Sequence, residues 1–158
     1  MKENRMDKNK RARRITREII QVRAVTKVTK GGRQRHFSVL VLTKKQKSIG
    51  FGFANKGTDL AKTIRKATNQ AEKNSITYFS ETPRTIPHDL EHSFGATTIK
   101  LFPAPAGSGI IAGGALNPIF KYLGIQDVSA KIIGSSNPLN VVHCALQALK
   151  KINWDNEH

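Results

Sequence analysis

Apolar and polar residues alternate, imperfectly, over Ile19–Val28, where Ile20 and Val22 are set against Gln21 and Arg23. Phe37–Thr43 is a denser apolar run, and Ser48–Ala54 sets Ile49, Phe51 and Phe53 against Gly50, Gly52 and Ala54. A period of two predicts strands, and the short turns between these runs predict an antiparallel meander. The large side of Ser48–Ala54 is expected in a core, and its glycine side leaves room for another backbone. The period then changes. Thr58 is placed to cap a helix with Asp59 in its first turn. Leu60, Ile64, Ala67 and Ala71 line one face, opposite Lys62, Arg65, Lys66, Asn69 and Lys73.

Ser80–Pro87 carries two prolines and marks the best domain boundary. Beyond it, Thr97–Phe102 and Val128–Ile133 read as strands, with a loop at Pro103–Gly109. Ile110–Leu123 is apolar all round, which predicts a buried helix with a kink at Pro118 or a late start at Asn117. Gly134–Asn137 is a turn. Asn137-Pro138 supplies an N-cap and a first-turn proline for a last helix that buries Leu139, Val142, Leu146 and Leu149. The expected organisation is α+β: a basic arm over 1–18, one small domain over 19–82, a second over 86–152, and a polar tail over 153–158.

Charge sharpens this picture. The 158 residues carry 27 Lys+Arg against 11 Asp+Glu, a net +16, and residues 1–35 hold 13 of those cations with three acids. Such an excess repels itself until something anionic neutralises it. Nucleic acid is the first candidate. A membrane is a poor one, because the apolar runs Val39–Leu42 and Ile110–Leu116 fall far short of the roughly 20 residues a span requires. The single cysteine, Cys144, excludes a disulfide framework and fits a reducing compartment. No secretory segment follows Met1, so the chain is expected to act where it is made.

The stretch Lys27–Phe37 places Gly31-Gly32 between two predicted strands, flanked by Lys27, Lys30, Arg33 and Arg35. In isolation this is a solvated turn. In so basic a chain it is a glycine-tipped hairpin whose backbone can approach phosphate closely. Other motifs fall away. Gly107-Ser-Gly109-Ile-Ile-Ala112, with Asp127 20 residues after Gly107, imitates a dinucleotide fingerprint, but a loop precedes the glycines and Asp127 would start a strand. Ala115-Leu116 stands where a P-loop following Gly109–Gly114 needs lysine and a hydroxyl. His88-Asp-Leu-Glu91-His92 fits a zinc pattern, yet Pro87 and Gly95 leave too little helix to align both histidines. His143 and Cys144 are neighbours whose side chains diverge on a helix, and Cys144 reads as a packing residue. No catalytic set and no cofactor is implied.

Five segments in order carry a family resemblance: Val-Thr-Lys-Gly-Gly-Arg (28–33), Ile-Gly-Phe-Gly-Phe-Ala (49–54), Thr-Ile-Pro-His (85–88), Gly-Ser-Gly-Ile-Ile-Ala-Gly-Gly-Ala (107–115) and Ser-Ser-Asn-Pro-Leu-Asn-Val-Val (135–142). From Ile19 to Lys151 the chain resembles bacterial-type small-subunit ribosomal protein five. The resemblance implies a sheet-plus-helix domain related to double-stranded-RNA-binding domains, then a left-handed β-α-β type domain. It implies a structural constituent of the small subunit that binds ribosomal RNA, contacts small-subunit proteins four and eight, lines the mRNA entry path and influences decoding accuracy. The alternative is a regulator that binds structured RNA away from the ribosome. The expected RNA contacts are Arg23, Lys27, Lys30, Gly31, Gly32, Arg33, Arg35, His36, Lys56, Lys62 and Lys66. The expected RNA or protein contact loop comprises Gly107, Ser108, Gly109, Gly113, Gly114, Ser135 and Asn137. The implied location is the ribosome, in bacterial cytoplasm or in an organelle that encodes its own ribosomal proteins. Departures from the family pattern are Ala54 for glycine, Asn117-Pro118 for Arg-Ala, His143 for arginine, and a Lys44–Lys47 turn without Asp-Gly.

Overall fold

The computed structural model describes residues 16–45, 48–77 and 84–152. The arm up to residue 15, turn residues 46 and 47, boundary residues 78–83 and the tail 153–158 lie outside the described residues. The chain divides into two units between Thr77 and Tyr78.

In the first unit, β1 (Thr16–Thr29), β2 (Gly32–Lys45), β3 (Ser48–Gly57), α1 (Leu60–Lys73) and β4 (Ile76–Thr77) follow in order. The strands form one sheet in the order β1-β2-β3-β4, antiparallel throughout. Strand β1 starts earlier than the alternation suggests, because Thr16–Glu18, assigned by charge to the arm, pair with Leu42–Lys44. The imperfect alternation has a cause. The register shifts between Ile19 and Gln21, so Ile20 is an extra residue and Ile19 and Val22 fall on one side.

That side carries α1. Val39, Val41, Ala54 and Ala67 form its core, with Ile64 packed against it. Gly50 and Gly52 face the helix. A Cβ on Gly50 would meet the Ala71 carbonyl oxygen, and one on Gly52 that of Ala67. The glycine side of β3 therefore does admit another backbone. Phe51 and Phe53, expected to enter a core, are only half-buried, on the side of the sheet away from α1 where Leu40, Leu42 and Ile49 are buried.

The helix begins one residue later than predicted. Asp59, extended at φ −114 and ψ 122, is the N-cap, and its Oδ1 accepts from the Ala61 amide at 3.0 Å. Thr58 is not the cap. The buried stripe is accordingly Thr63, Ala67 and Ala71, while Leu60 is 37% exposed. Thr63 tolerates burial because its hydroxyl donates to the Asp59 carbonyl at 2.6 Å.

The second unit contains β5 (Leu90–Phe94), β6 (Thr97–Pro103), β7 (Ile110–Ile111), α2 (Leu116–Leu123), β8 (Val128–Gly134) and α3 (Pro138–Lys151). Its sheet runs β5-β6-β8-β7, with β7 parallel to β8 and the other pairs antiparallel. The segment β7-α2-β8 is thus a β-α-β unit. The long helix predicted over Ile110–Leu123 is shorter: Ile110 and Ile111 pair with Val128 and Ser129, and α2 starts at Leu116. Pro118 causes no kink. It lies in the first turn, where its missing N–H has no intrahelical partner to lose. Gly124 ends α2 at φ 87, donating its N–H to Phe120 and Lys121. Asn137 caps α3 as predicted, with Pro138 at its start. The face that α3 buries is broader than predicted, with Val141, Ala145 and Ala148 joining Val142, Leu146 and Leu149, and Leu139 half-buried. No helix among the described residues is long and apolar enough to cross a membrane.

The close approach of α1 to β3 predicts that Gly52→Ala is destabilising. Stiffening the unfolded chain would add about 0.4–1 kcal/mol of stability. Forcing a methyl group into the Ala67 carbonyl outweighs that, with an overpacking cost of about 1–3 kcal/mol. Urea unfolding measures the balance, and no loss of stability would show that the helix does not rest on the strand.

Candidate nucleic-acid interface

Strand β3 pairs with β2 only from Phe37 to Lys45. Beyond Phe37, β1 and β2 pair only with each other, up to Thr29 opposite Gly32. The result is a two-stranded ribbon that extends past the third strand by about 17 Å, five residues at strand rise. Its tip turns at Lys30 and Gly31, and Gly32 takes φ 124. Gly31 lies outside the left-handed region, and an added Cβ at either glycine would meet nothing.

The register sorts the cations. Directly opposed residues share a face, so Arg23 opposite Ser38 and Lys27 opposite Gln34 lie on one side. Arg33 opposite Val28 and Arg35 opposite Thr26 lie on the other. Lys30 sits at the tip. The ribbon is therefore cationic on both faces, and all five side chains are exposed. His36 shares the face of Arg23 and Lys27 and is half-buried, with its Nδ1 shielded and without a hydrogen-bond partner among the described residues. Val22, Val25 and Val28 are exposed along β1. Their apolar surface lies among charges and gives the ribbon β-branched stiffness.

Lys56, Lys62 and Lys66 converge where β3 passes into α1. Lys56 sits at a β2–β3 register irregularity in the left-handed region, φ 58. With Asp59 and Thr63, the three lysines border a shallow hollow of about 210 Å³. The Asp59 carboxylate, which caps the helix, offsets one of these charges, so three lysines against one acid leave the hollow net positive.

The glycine loop of the second unit is organised by a pair that motif reading did not find. Asp127, with its side chain 4% exposed, accepts from Arg84 Nε at 2.8 Å and from the Gly109 amide at 2.9 Å. The backbone of Arg84 also accepts from the amides of Gln126 and Asp127. Arg84 first, and then the Gly109 N–H, hold the Asp127 carboxyl below its ordinary range against the opposing effect of burial. Gly107 and Gly109 take φ 89 and 71, Ser108 donates its N–H to Pro105, and Gly109 accepts from Val128. The loop is a clamped turn with an exposed crest at Gly107 and Ser108. Asp127, engaged by these partners, is not placed to hold a ribose.

The other loop residues do not join it. Gly114, at φ 55, lies beside Ile132, and an added Cβ at Gly113 would meet nothing. Ser135 is tied at the far end of β8, where its N–H donates to Ala96 and its carbonyl accepts from Thr97 Oγ1. Asn137 caps α3 beside it. Val128 and Gly134 are six residue steps apart along β8, about 20 Å. The predicted contact loop is thus three separate pieces: the crest at Gly107–Gly109, the turn at Gly113-Gly114, and Ser135 with Asn137 at the far end of β8.

The remaining polar clusters are accounted for within the second unit. His92 lies on β5 and meets Gln147 Oε1 at 2.9 Å, while His88 Nδ1 approaches the Asp89 carbonyl at 2.9 Å. His143 stacks on Phe94 with ring centroids 4.2 Å apart. Cys144 is fully buried, and its Sγ–H donates to the His92 carbonyl at 3.2 Å. Burial pushes its thiol up, which suits packing and not nucleophilic work. Among the described residues, no group of His, Cys, Asp and Glu is arranged to hold a metal.

Comparison with known proteins divides the chain in the same way. A family model described as ribosomal protein S5, N-terminal domain, matches residues 15–77, and one described as ribosomal protein S5, C-terminal domain, matches residues 92–154. A small ribosomal subunit protein uS5 of Rhodopseudomonas palustris is 40% identical over 153 residues, covering 96% of this chain and 80% of the relative. The protein of the same name from Brucella anthropi is 42% identical over 150 residues, covering 93% and 80%. That from Bartonella henselae is 41% identical over 148 residues, covering 93% and 81%.

The Asp127 clamp gives a pH prediction. A carboxyl whose folded pKa lies below its unfolded value contributes stability above the unfolded value, and that contribution is lost as pH falls through the folded one. The Gly109 amide resonance should follow the Asp127 carboxyl, with a midpoint below that of an ordinary aspartate. Asp127→Ala should speed exchange of the Gly109 amide at neutral pH. An amide indifferent to both changes would remove the clamp.

Proposed function

The chain belongs to the ribosomal protein S5 family, and on that premise we propose that it grips small-subunit ribosomal RNA with the β1–β2 ribbon. As a member of that family it is a structural constituent of the small ribosomal subunit, not a catalyst. The observation that carries the finer reading is the ribbon, an extension past the sheet with cations on both faces and a glycine tip at which an added Cβ would meet nothing within the chain. Neutralised phosphates release counterions, and this sequence-independent term dominates the affinity of such surfaces. Cations on two faces suit insertion between two lines of phosphate. A tip free of Cβ atoms lets backbone N–H groups come within hydrogen-bonding distance.

In this reading Arg23, Lys27, Lys30, Arg33 and Arg35 contact phosphate, Gly31 and Gly32 allow close approach, and His36 supports the ribbon from one face. Lys56, Lys62 and Lys66 extend the same interface along the edge of α1. The crest Gly107-Ser108-Gly109, the turn Gly113-Gly114 and the cap Ser135 with Asn137 are further contacts to RNA or to neighbouring proteins. Small-subunit proteins four and eight are the neighbours we propose, with the mRNA entry path nearby and decoding accuracy as the property affected. The place of action is the ribosome, in bacterial cytoplasm as for the bacterial relatives.

Replacing Lys27, Lys30 and Arg33 together with alanine tests the ribbon. The slope of log affinity against log salt for small-subunit ribosomal RNA should fall by about 3, at roughly 0.9 per contact. An unchanged slope takes the ribbon out of the interface. Sedimentation of the chain away from small subunits at high salt, with affinity for structured RNA retained, would favour a free regulator.

A further inference from the structure

Resting on the reading of the crest Gly107-Ser108-Gly109 as a contact, we propose that Arg84 and Thr85 are positioning residues, a strap that fastens both ends of the loop and so sets the shape in which the crest meets its partner. The loop leaves β6 at Pro103 and reaches β7 at Ile110. At its start, the Ala104 amide donates to Thr85 Oγ1 at 3.2 Å. At its end, the Gly109 amide donates to Asp127 Oδ1 at 2.9 Å. Arg84 in turn holds Asp127 twice. Its Nε–H donates to Asp127 Oδ2 at 2.8 Å, and its carbonyl accepts from the Asp127 amide at 2.9 Å. Two adjacent residues thus hold both ends, one directly from 19 positions away and one through Asp127, 43 positions away. The strap is itself anchored: Ile86, next in sequence, is buried, and Pro87 after it keeps Ile86 extended.

The loop has need of fastening. Gly107 and Gly109 sit at φ 89 and 71, and glycine visits other conformations as readily. The loop's own bond, from the Ser108 amide to the Pro105 carbonyl at 3.1 Å, closes one turn and reaches neither end. A partner that meets a loose crest must order it, and that cost is subtracted from the affinity; a crest already ordered avoids it. Thr85 is half-buried and uncharged, so its effect on binding separates from that of the cations on the ribbon.

The test uses the full chain and small subunits prepared without it. Thr85→Val removes the acceptor and keeps the side-chain shape. It should weaken binding to these particles about three- to tenfold, the worth of one net hydrogen bond, with an unchanged salt slope because no charge is lost. It should also speed exchange of the Gly109 amide, at the end of the loop that Thr85 does not touch. Thr85→Ser keeps the hydroxyl and should restore both. Arg84→Gln should weaken binding as well, and the double variant should lose less than the product of the two losses, since either release frees the same crest. Arg84→Gln leaves the backbone and the buried Ile86 in place, so it reports even where Thr85→Val does not fold. An unchanged Gly109 amide in folded Thr85→Val overturns the proposal, as do losses that multiply in full or a failure of Thr85→Ser to rescue. Ser108→Glu tests the crest itself, because it sets a charge at the exposed tip and leaves the strap residues as they are. If Ser108→Glu weakens binding while the strap variants bind as the unaltered chain does, this inference fails and the crest contact stands. If Ser108→Glu binds normally, the crest is not a contact and both fall.

Discussion

Gly50 and Gly52 let the carbonyls of Ala67 and Ala71 rest directly on β3, and the architecture of the first unit follows from that contact. A helix this close needs only small residues on its inner face, and Thr63, Ala67 and Ala71 supply them. The core of Val39, Val41, Ala54 and Ala67 is correspondingly thin. The outer face of the helix is left to Lys62, Arg65, Lys66 and Lys73, all exposed. A larger residue at either glycine would lift the helix and move every cation mounted on it.

Charge in this chain is segregated by purpose. Two ion pairs occur among the described residues, Arg84 with Asp127 and Lys100 with Glu91. The second is long, at 3.8 Å, and exposed, so it adds little. The first holds a buried carboxylate that also binds the Gly109 amide, which makes it a fastener for the glycine loop. The cations of the ribbon and α1 have no comparable internal partner among the described residues. Their mutual repulsion is spread along two elongated elements, and an anionic surface would relieve it.

The parts legible in the sequence are those that depend on near neighbours. The alternation of glycine and large residues in β3, the cationic stripe of α1, the Asn137-Pro138 cap and the glycine tip all follow from local chemistry. The N-cap is Asp59 and not Thr58; both residue types cap well, so local composition does not choose between them. Strand β5 escaped notice because Glu91, His92 and Ser93 dilute its apolar character, and its inward side is completed by α3, some fifty residues away in sequence. Strand β7 is two residues long and exists only through Val128 and Ser129. The Arg84–Asp127 pair spans 43 positions, with no motif to announce it. The division of the second-unit loops between the two ends of β8 required a strand register that composition does not carry. The exposure of the cations, by contrast, follows from the strand and helix periods, so it could be read directly.

Gly31 carries a different kind of information. Its backbone is outside the region that excludes side chains, and the space around it is open, so nothing inside the chain demands glycine there. In the free protein an alanine at this position would point harmlessly into solvent. In the proposed grip on ribosomal RNA, that open space is where the partner would come nearest the backbone. An alanine there would then be silent in the free protein and felt only in the complex.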